Sequence, residues 1–125
     1  MAHHYKDLIA WRKAMELVNA VYDATDRFPR REIYSLTDQI RRAVVSIPSN
    51  IADGQAHYSD KEFVHFLRHS RGSLAELETQ LLIAQNRNYL PESEAAVLLK
   101  NADELNRIMS GLINSLMQKE RRRGD

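Results

Sequence analysis

Leu36-Thr37-Asp38-Gln39-Ile40-Arg41-Arg42-Ala43-Val44-Val45-Ser46-Ile47-Pro48-Ser49-Asn50-Ile51-Ala52-Asp53-Gly54 decides the fold class of this chain. Ile33, Leu36, Ile40, Ala43 and Ile47 recur at spacings of three and four, and Val44 and Ile51 flank them. That period belongs to one face of a helix; a half-buried strand would alternate every second residue. The spacing predicts a helix over about 32–53. Pro48 stands inside it and has no N–H for the carbonyl of Val44, so a bend or local break is expected there. Asn50 shares the apolar stripe two residues on. With Ser46 and Ser49 nearby, its amide is placed to bond backbone groups the proline leaves unpaired. Ser46, Pro48 and Asn50 therefore read as a structural polar site.

Punctuation spreads outward from this segment. Pro29 ends the periodic segment before it, and Gly54 closes the segment itself. Ser59 and Glu62 make a capping-box pair ahead of a third segment. Pro91 opens a fourth, where a first-turn proline loses no hydrogen bond. The third, about 59–86, carries Phe63, Leu67, Ser70, Leu74, Leu77, Leu81 and Ala84. The fourth, about 92–119, carries Ala95, Leu98, Ala102, Leu105, Met109, Leu112 and Leu116. Ser70, Gly72 and Ser73 are small enough to let another helix approach the third closely. Short connections between long helices favour antiparallel neighbours. The expected fold is all-α: a single antiparallel up-down-up-down four-helix bundle over 1–125, helix two bent near Pro48, with a frayed basic tail at 120–125.

The first helix, about 7–27, is unusual. Leu8, Trp11, Met15, Val18, Tyr22 and Thr25 make a heptad-like stripe, read as the core stripe. Ala10, Ala14, Leu17, Val21, Ala24 and Phe28 form a second row beside it. Together they exceed the ~100° stripe that one bundle core requires. A helix apolar on two sides meets two partners, so self-association is expected. Leu17, Val21 and Phe28, with Tyr34 and Val45 off the core stripe of helix two, are the candidate subunit-interface residues.

Composition narrows the functions. The hydrophobic fraction is 43% against 28% charged, the balance of a folded globular chain. Cysteine is absent, which excludes disulfides, thiol catalysis and Cys-based metal sites. The formal net charge is only +1, so a nucleic-acid role must rest on local patches. No apolar run approaches signal-peptide or membrane-span length, and the expected setting is cytoplasmic with no membrane partner. His3 and His4 fit a tag remnant or native sequence equally and carry no weight.

Chemistry-bearing motifs are scarce. No phosphate-cradling glycine loop or nucleophile elbow occurs. His65 and His69 lie at i, i+4, but on the outer face and without a third ligand nearby in sequence; the reading is two solvated histidines. Glu76 and Glu78, two apart on a helix, point in different directions and cannot share a substrate as an acid–base pair. Ion pairs to Arg41, Arg42 or Arg71 suit them better. No cofactor, metal or catalytic residue is expected, and an enzyme is not the reading. Arg30, Arg31, Arg41 and Arg42 are the candidate nucleic-acid contacts, since an oligomer would repeat even a modest patch around a ring.

Three stretches carry a family resemblance: Asp7-Leu8-Ile9-Ala10-Trp11-Arg12-Lys13-Ala14, the Leu36–Gly54 run, and Phe66-Leu67-Arg68 through Gly72-Ser73-Leu74-Ala75-Glu76-Leu77-Glu78-Thr79-Gln80-Leu81. The chain resembles the bacterial 23S rRNA intervening-sequence proteins over nearly its whole length. Asp53 stands where that family usually has Glu, and His57 where it often has Arg, which removes a positive charge from the loop between helices two and three. The resemblance implies a four-helix bundle assembling into a barrel-like homopentamer, with no settled activity. A related branch, the accessory variability determinant of diversity-generating retroelements, binds a reverse transcriptase and nucleic acid through a strongly basic surface. The near-neutral charge here argues against that branch. The resulting expectation is a homopentameric scaffold or adaptor with a partner protein; the alternative is a ring that binds RNA or DNA through its arginines.

Overall fold

Four helices and no strand make up the computed structural model, which describes residues 5, 8–57 and 59–124. His3, His4 and Asp7 lie outside the described residues. The helices are α1 (Ile9–Thr25), α2 (Leu36–Ala56), α3 (Asp60–Asn86) and α4 (Glu92–Gly124), with a 3-10 turn at Arg30–Glu32 ahead of α2. Each helix packs on two others, α1 on α2 and α4, and α3 on α2 and α4, closing a four-membered bundle. Cross-helix pairs run in opposite sequence order. On the α2–α3 seam Ser46 meets Ser73 and Ile47 meets Ser70; on the α3–α4 seam Asp60 meets Arg123 and Arg68 meets Met117. Lys13 meets Glu104 and Arg27 meets Glu94 between α1 and α4. Opposite order is the register of antiparallel neighbours.

Local chemistry explains most helix ends. Ser59 Oγ accepts from the Glu62 N–H at 3.1 Å, the cap expected for α3. Asn88, at φ 63°, turns the chain out of α3 in the left-handed region that asparagine tolerates. There the Tyr89 N–H reaches back to the Ala84 carbonyl at 2.9 Å. Helix α2 starts later than its periodicity suggests. The Glu32 and Ile33 N–H groups bond the Pro29 and Arg30 carbonyls, three residues back, so this turn is tight and only then does the α-helix begin. Ile33, read as the first member of the α2 stripe, is consequently 49% exposed. The tail also departs from expectation. Helix α4 continues through Gly124, and Arg123 binds Asp60 at 2.9 Å.

The core is one cluster fed by all four helices. Ile40, Val44, Ile47 and Ile51 of α2, Leu67, Leu74, Leu77 and Leu81 of α3, and Leu105 and Met109 of α4 are essentially inaccessible. In α1 the two apolar rows exchange their expected roles. Ala10, Ala14, Leu17, Val21, Ala24 and Phe28 are buried, whereas Leu8, Trp11, Met15 and Val18 are half-buried and Tyr22 is exposed. Leu17, Val21 and Phe28 are thus part of the chain's own core, not an interface. The alanines explain the choice: a row of small side chains lets the α1 backbone sit closer to its neighbours than a row of Trp and Met would.

Helix α2 is helical straight through Pro48, without the break allowed for in sequence. Side-chain donors serve three successive carbonyls ahead of the proline. Ser49 Oγ donates to Val45, Asn50 Nδ2 to Ser46 and Ser70 Oγ to Ile47, each at 2.9 Å. Asn50 therefore serves Ser46, not the Val44 carbonyl that Pro48 fails to reach. Ser46 Oγ joins Ser73 Oγ at 2.6 Å and accepts a second Asn50 contact at 3.1 Å, extending the network to α3.

Candidate functional site

No concave catalytic centre dominates this molecule, so its candidate sites are surfaces. Among the described residues no group of three or more His, Cys, Asp or Glu is placed to hold a metal ion. His65 and His69 are exposed, with ring centroids 4.6 Å apart. Glu76 and Glu78 form no ion pair among the described residues, so the expected pairs to Arg41, Arg42 or Arg71 are not made. Burial, and secondarily the charge of Asp103, hold the Glu78 carboxyl above its ordinary range.

The four candidate arginines are not one patch. Arg41 is committed inside the chain: Nε donates to Thr25 Oγ1 and NH2 to Asp26 Oδ1, both at 2.9 Å. Its guanidinium also lies 4.7 Å from the centroid of the Tyr22 ring. Such a clamp ties α2 to the end of α1 and leaves few donors for phosphate. Thr25 Oγ1 completes it by donating to the Val21 carbonyl at 2.8 Å. Sequence reasoning missed this clamp because its partners lie 15 and 16 residues apart with no local signal. Arg42 is 80% exposed and pairs loosely with Asp38 at 4.0 Å. Arg30 and Arg31 sit exposed in the 3-10 turn, Arg31 at 5.7 Å from the Tyr89 ring centroid. Tyr89 OH donates to Glu32 Oε2 at 2.9 Å and anchors that turn to the α3–α4 connection.

Apolar surface is left on the α1–α2 side. The outward α1 row of Leu8, Trp11, Met15, Val18 and Tyr22 remains partly open to solvent, and Val45 of α2 is 40% exposed. Arg41 meets Tyr22 and Thr25 across the α1–α2 seam, and Val45 follows it one turn further along α2. Tyr34, in the connection before α2, is 94% exposed, the largest value among the large apolar side chains of the described residues. On the α2–α3 side, a groove of about 670 Å³ is lined by Asp38, Arg42, Glu76, Gln80 and Ile83. Gln80 Oε1 is buried there without a hydrogen-bond partner.

A model of the 23S rRNA-intervening sequence protein family matches residues 6–111. The chain belongs to that family. No curated protein matches it. Its fold is also that of a crystal structure of a protein of unknown function from the S23 ribosomal protein family of Bacteroides thetaiotaomicron. That structure superposes with a TM-score of 0.79 at 19% identity, over 87% of this chain and 98% of the other. Neither description names a reaction, so membership in the intervening-sequence protein family brings no catalytic class with it. No helix among the described residues is long and apolar enough to cross a membrane. The family match covers all of α1, α2 and α3, including the Ser46–Pro48–Asn50 site, and stops within α4.

Proposed function

We propose that this intervening-sequence protein is a non-enzymatic scaffold or adaptor that works as a homo-oligomeric ring, a pentamer on the family resemblance. The observation that carries the reading is the outward apolar row of α1. After Ala10, Ala14, Leu17, Val21 and Phe28 are buried in the chain's own core, Trp11, Met15, Val18 and Tyr22 still present a second stripe. A continuous apolar stripe on a surface helix marks an interaction site. Val45 extends it onto α2, and Tyr34 supplies a fully presented aromatic side chain of the kind that anchors interfaces. Cytoplasmic placement and the absence of catalysis belong to the same reading.

Light scattering coupled to size-exclusion chromatography tests it. The expected mass is about five times the 14.5 kDa of one chain. Tyr34→Glu with Val45→Glu, which place charge on the exposed interface candidates and not in the core, should reduce the oligomer to a folded monomer by circular dichroism. A wild-type monomer at high concentration, or an unchanged oligomer in the double variant, defeats the reading.

A further inference from the structure

The strongest unassigned charge on the molecule lies at the opposite end from Arg30 and Arg31, where α3 begins and α4 ends. A groove of about 680 Å³ runs between these helices, lined by Lys61, Val64, His65 and Arg68 of α3 and by Leu116, Met117, Glu120 and Arg121 of α4, with Asp60 and Glu62 at its edge. Two shallower grooves, of about 400 and 500 Å³, continue from it along the outer face of α3, and Arg68 borders all three. The acidic groups here are partly spent: Asp60 is held by Arg123 at 2.9 Å and by Lys119 at 3.7 Å, and Glu120 meets Arg123 at 3.7 Å. Lys61, Arg68, Arg71, Arg121 and Arg122 form no ion pair among the described residues and are all exposed. Lys61, Arg68 and Arg121, three unpaired cations, thus share the main groove with Glu62 as its one carboxylate without an ion pair, on a chain whose whole charge is only +1; Glu76 and Glu78 border the two side grooves.

We propose that this α3–α4 groove binds a single-stranded nucleic acid, its phosphates on Lys61, Arg68 and Arg121 and a base against Met117, between the edges of Val64 and Leu116. Arginine recognises phosphate through two parallel N–H groups, and two of the three free cations of the groove are arginines. The floor decides between polyanions. Val64 and Leu116 are nearly buried and Met117 is half-buried, so the apolar floor is small, whereas a docking helix needs apolar anchors over several turns. Beyond the floor the seam turns polar, with Arg71, Gly72, Glu78 and Asn106. A duplex keeps its bases stacked inside and gains nothing from the floor, so a single strand is the better fit. The site does not depend on the oligomeric reading, although a ring would repeat it.

Fluorescence anisotropy with a labelled 12-nucleotide uridine-rich RNA, the matching DNA strand and the matching duplex tests this on the full chain. Neutralising about three phosphates of a single strand gives a salt slope near −2, a loss of roughly 20-fold between 50 and 200 mM salt. The expected result is single-strand binding with that slope, at least tenfold tighter than duplex, and the ratio of RNA to DNA affinity reports the role of the 2′-hydroxyl. Arg68→Glu with Arg121→Glu should weaken it more than tenfold, and the milder Arg68→Ala with Arg121→Ala should do so in part. Arg30→Glu with Arg31→Glu, at the other end, should stay within twofold of wild type. Light scattering on each variant separates lost binding from lost assembly. No binding at 50 mM salt, duplex bound as tightly as single strand, or unchanged affinity in both groove variants overturns the proposal. A polyglutamate peptide that displaces the RNA at equal charge concentration also overturns it, in favour of an acidic protein partner.

Discussion

The Ser70 hydroxyl donates to the Ile47 carbonyl at 2.9 Å, a bond from α3 into the α2 backbone one residue ahead of Pro48. Ser70 is fully buried, so the contact is sheltered from water. Pro48 leaves the Val44 carbonyl without its helical donor, and side chains bond the next three carbonyls, those of Val45, Ser46 and Ile47. Ser70→Ala should therefore destabilise by about 1 kcal/mol, the net worth of one hydrogen bond. Ser70→Leu should cost about 2–3 kcal/mol more, because it overpacks the seam. Urea midpoints of the two variants check both; equal midpoints would mean that neither the bond nor the close packing matters.

Asn50 links the same region to Ser46 and, through it, to Ser73. Asn50→Leu keeps the volume but removes the amide. Backbone hydrogen exchange over residues 46–51 should quicken in this variant, together with any change in the axis of α2 near Pro48. Unchanged exchange there would refute the role given to Asn50.

At Gly54 the α2 backbone lies tight against α3. A Cβ at this position would lie 2.8 Å from Phe66 Cβ and 3.3 Å from the Phe63 carbonyl oxygen, neither of which is the far end of a flexible side chain. Gly54→Ala should thus destabilise by about 1–3 kcal/mol, although alanine is the better helix former. Gly111→Ala, where a Cβ meets nothing within 4 Å, should stabilise by about 0.5–1 kcal/mol. Opposite signs for two helical glycines in the same thermal-denaturation series are the expected result.

Arg41 and Arg42 are neighbours with different work. Arg41→Met removes two hydrogen bonds and the contact with the Tyr22 ring, and should cost about 2 kcal/mol. Arg42→Met should stay within about 0.5 kcal/mol, as exposed, loosely paired charges do. Comparable losses in the two variants would contradict the clamp.

Two carboxylates give stability opposite pH dependences. The Tyr89 hydroxyl, then the Leu36 N–H, hold Glu32 below its ordinary value of 4.5. A lowered carboxylate contributes stability that is present above the unfolded value and is lost as pH falls through the folded one. Tyr89→Phe should therefore flatten the acid limb of the stability curve below pH 4.5. Glu78 is raised, so its contribution is present below the unfolded value and lost as pH rises through the folded one. Glu78→Gln should be more stable than wild type at pH 7, and the gain should vanish below pH 4.5. Denaturant midpoints between pH 3 and 7 test both signs.

The local signals of this sequence carried far. Periodicity in Leu36–Gly54, Phe63–Ala84 and Ala95–Leu116 specifies helices, because each stripe repeats at the pitch of the backbone itself. The Ser59–Glu62 pair states where α3 starts, since cap and capped N–H lie three residues apart. Polar residues around Pro48 announce their partners for the same reason: Asn50 and Ser46 are one helical turn apart.

What the sequence left open needed the packed bundle. Helix α1 has two apolar rows at the same spacing, and that period alone does not say which faces the axis. Only close packing against α2 and α4 selects the alanine-rich row and leaves Trp11, Met15 and Val18 half-buried, with Trp11 and Val18 against the edge of the core. The arginine pattern misled likewise: Arg41 and Arg42 are adjacent in the chain, but a 100° step between them sends one into a clamp and the other to solvent. Conversely, Lys61, Arg68 and Arg121 lie up to 60 residues apart in sequence and share one groove only because α4 returns alongside α3. Helical period is a property of neighbours along the chain, and the sequence determined it; which faces meet, and which charges gather, is a property of neighbours in space, and only the tertiary structure decided that.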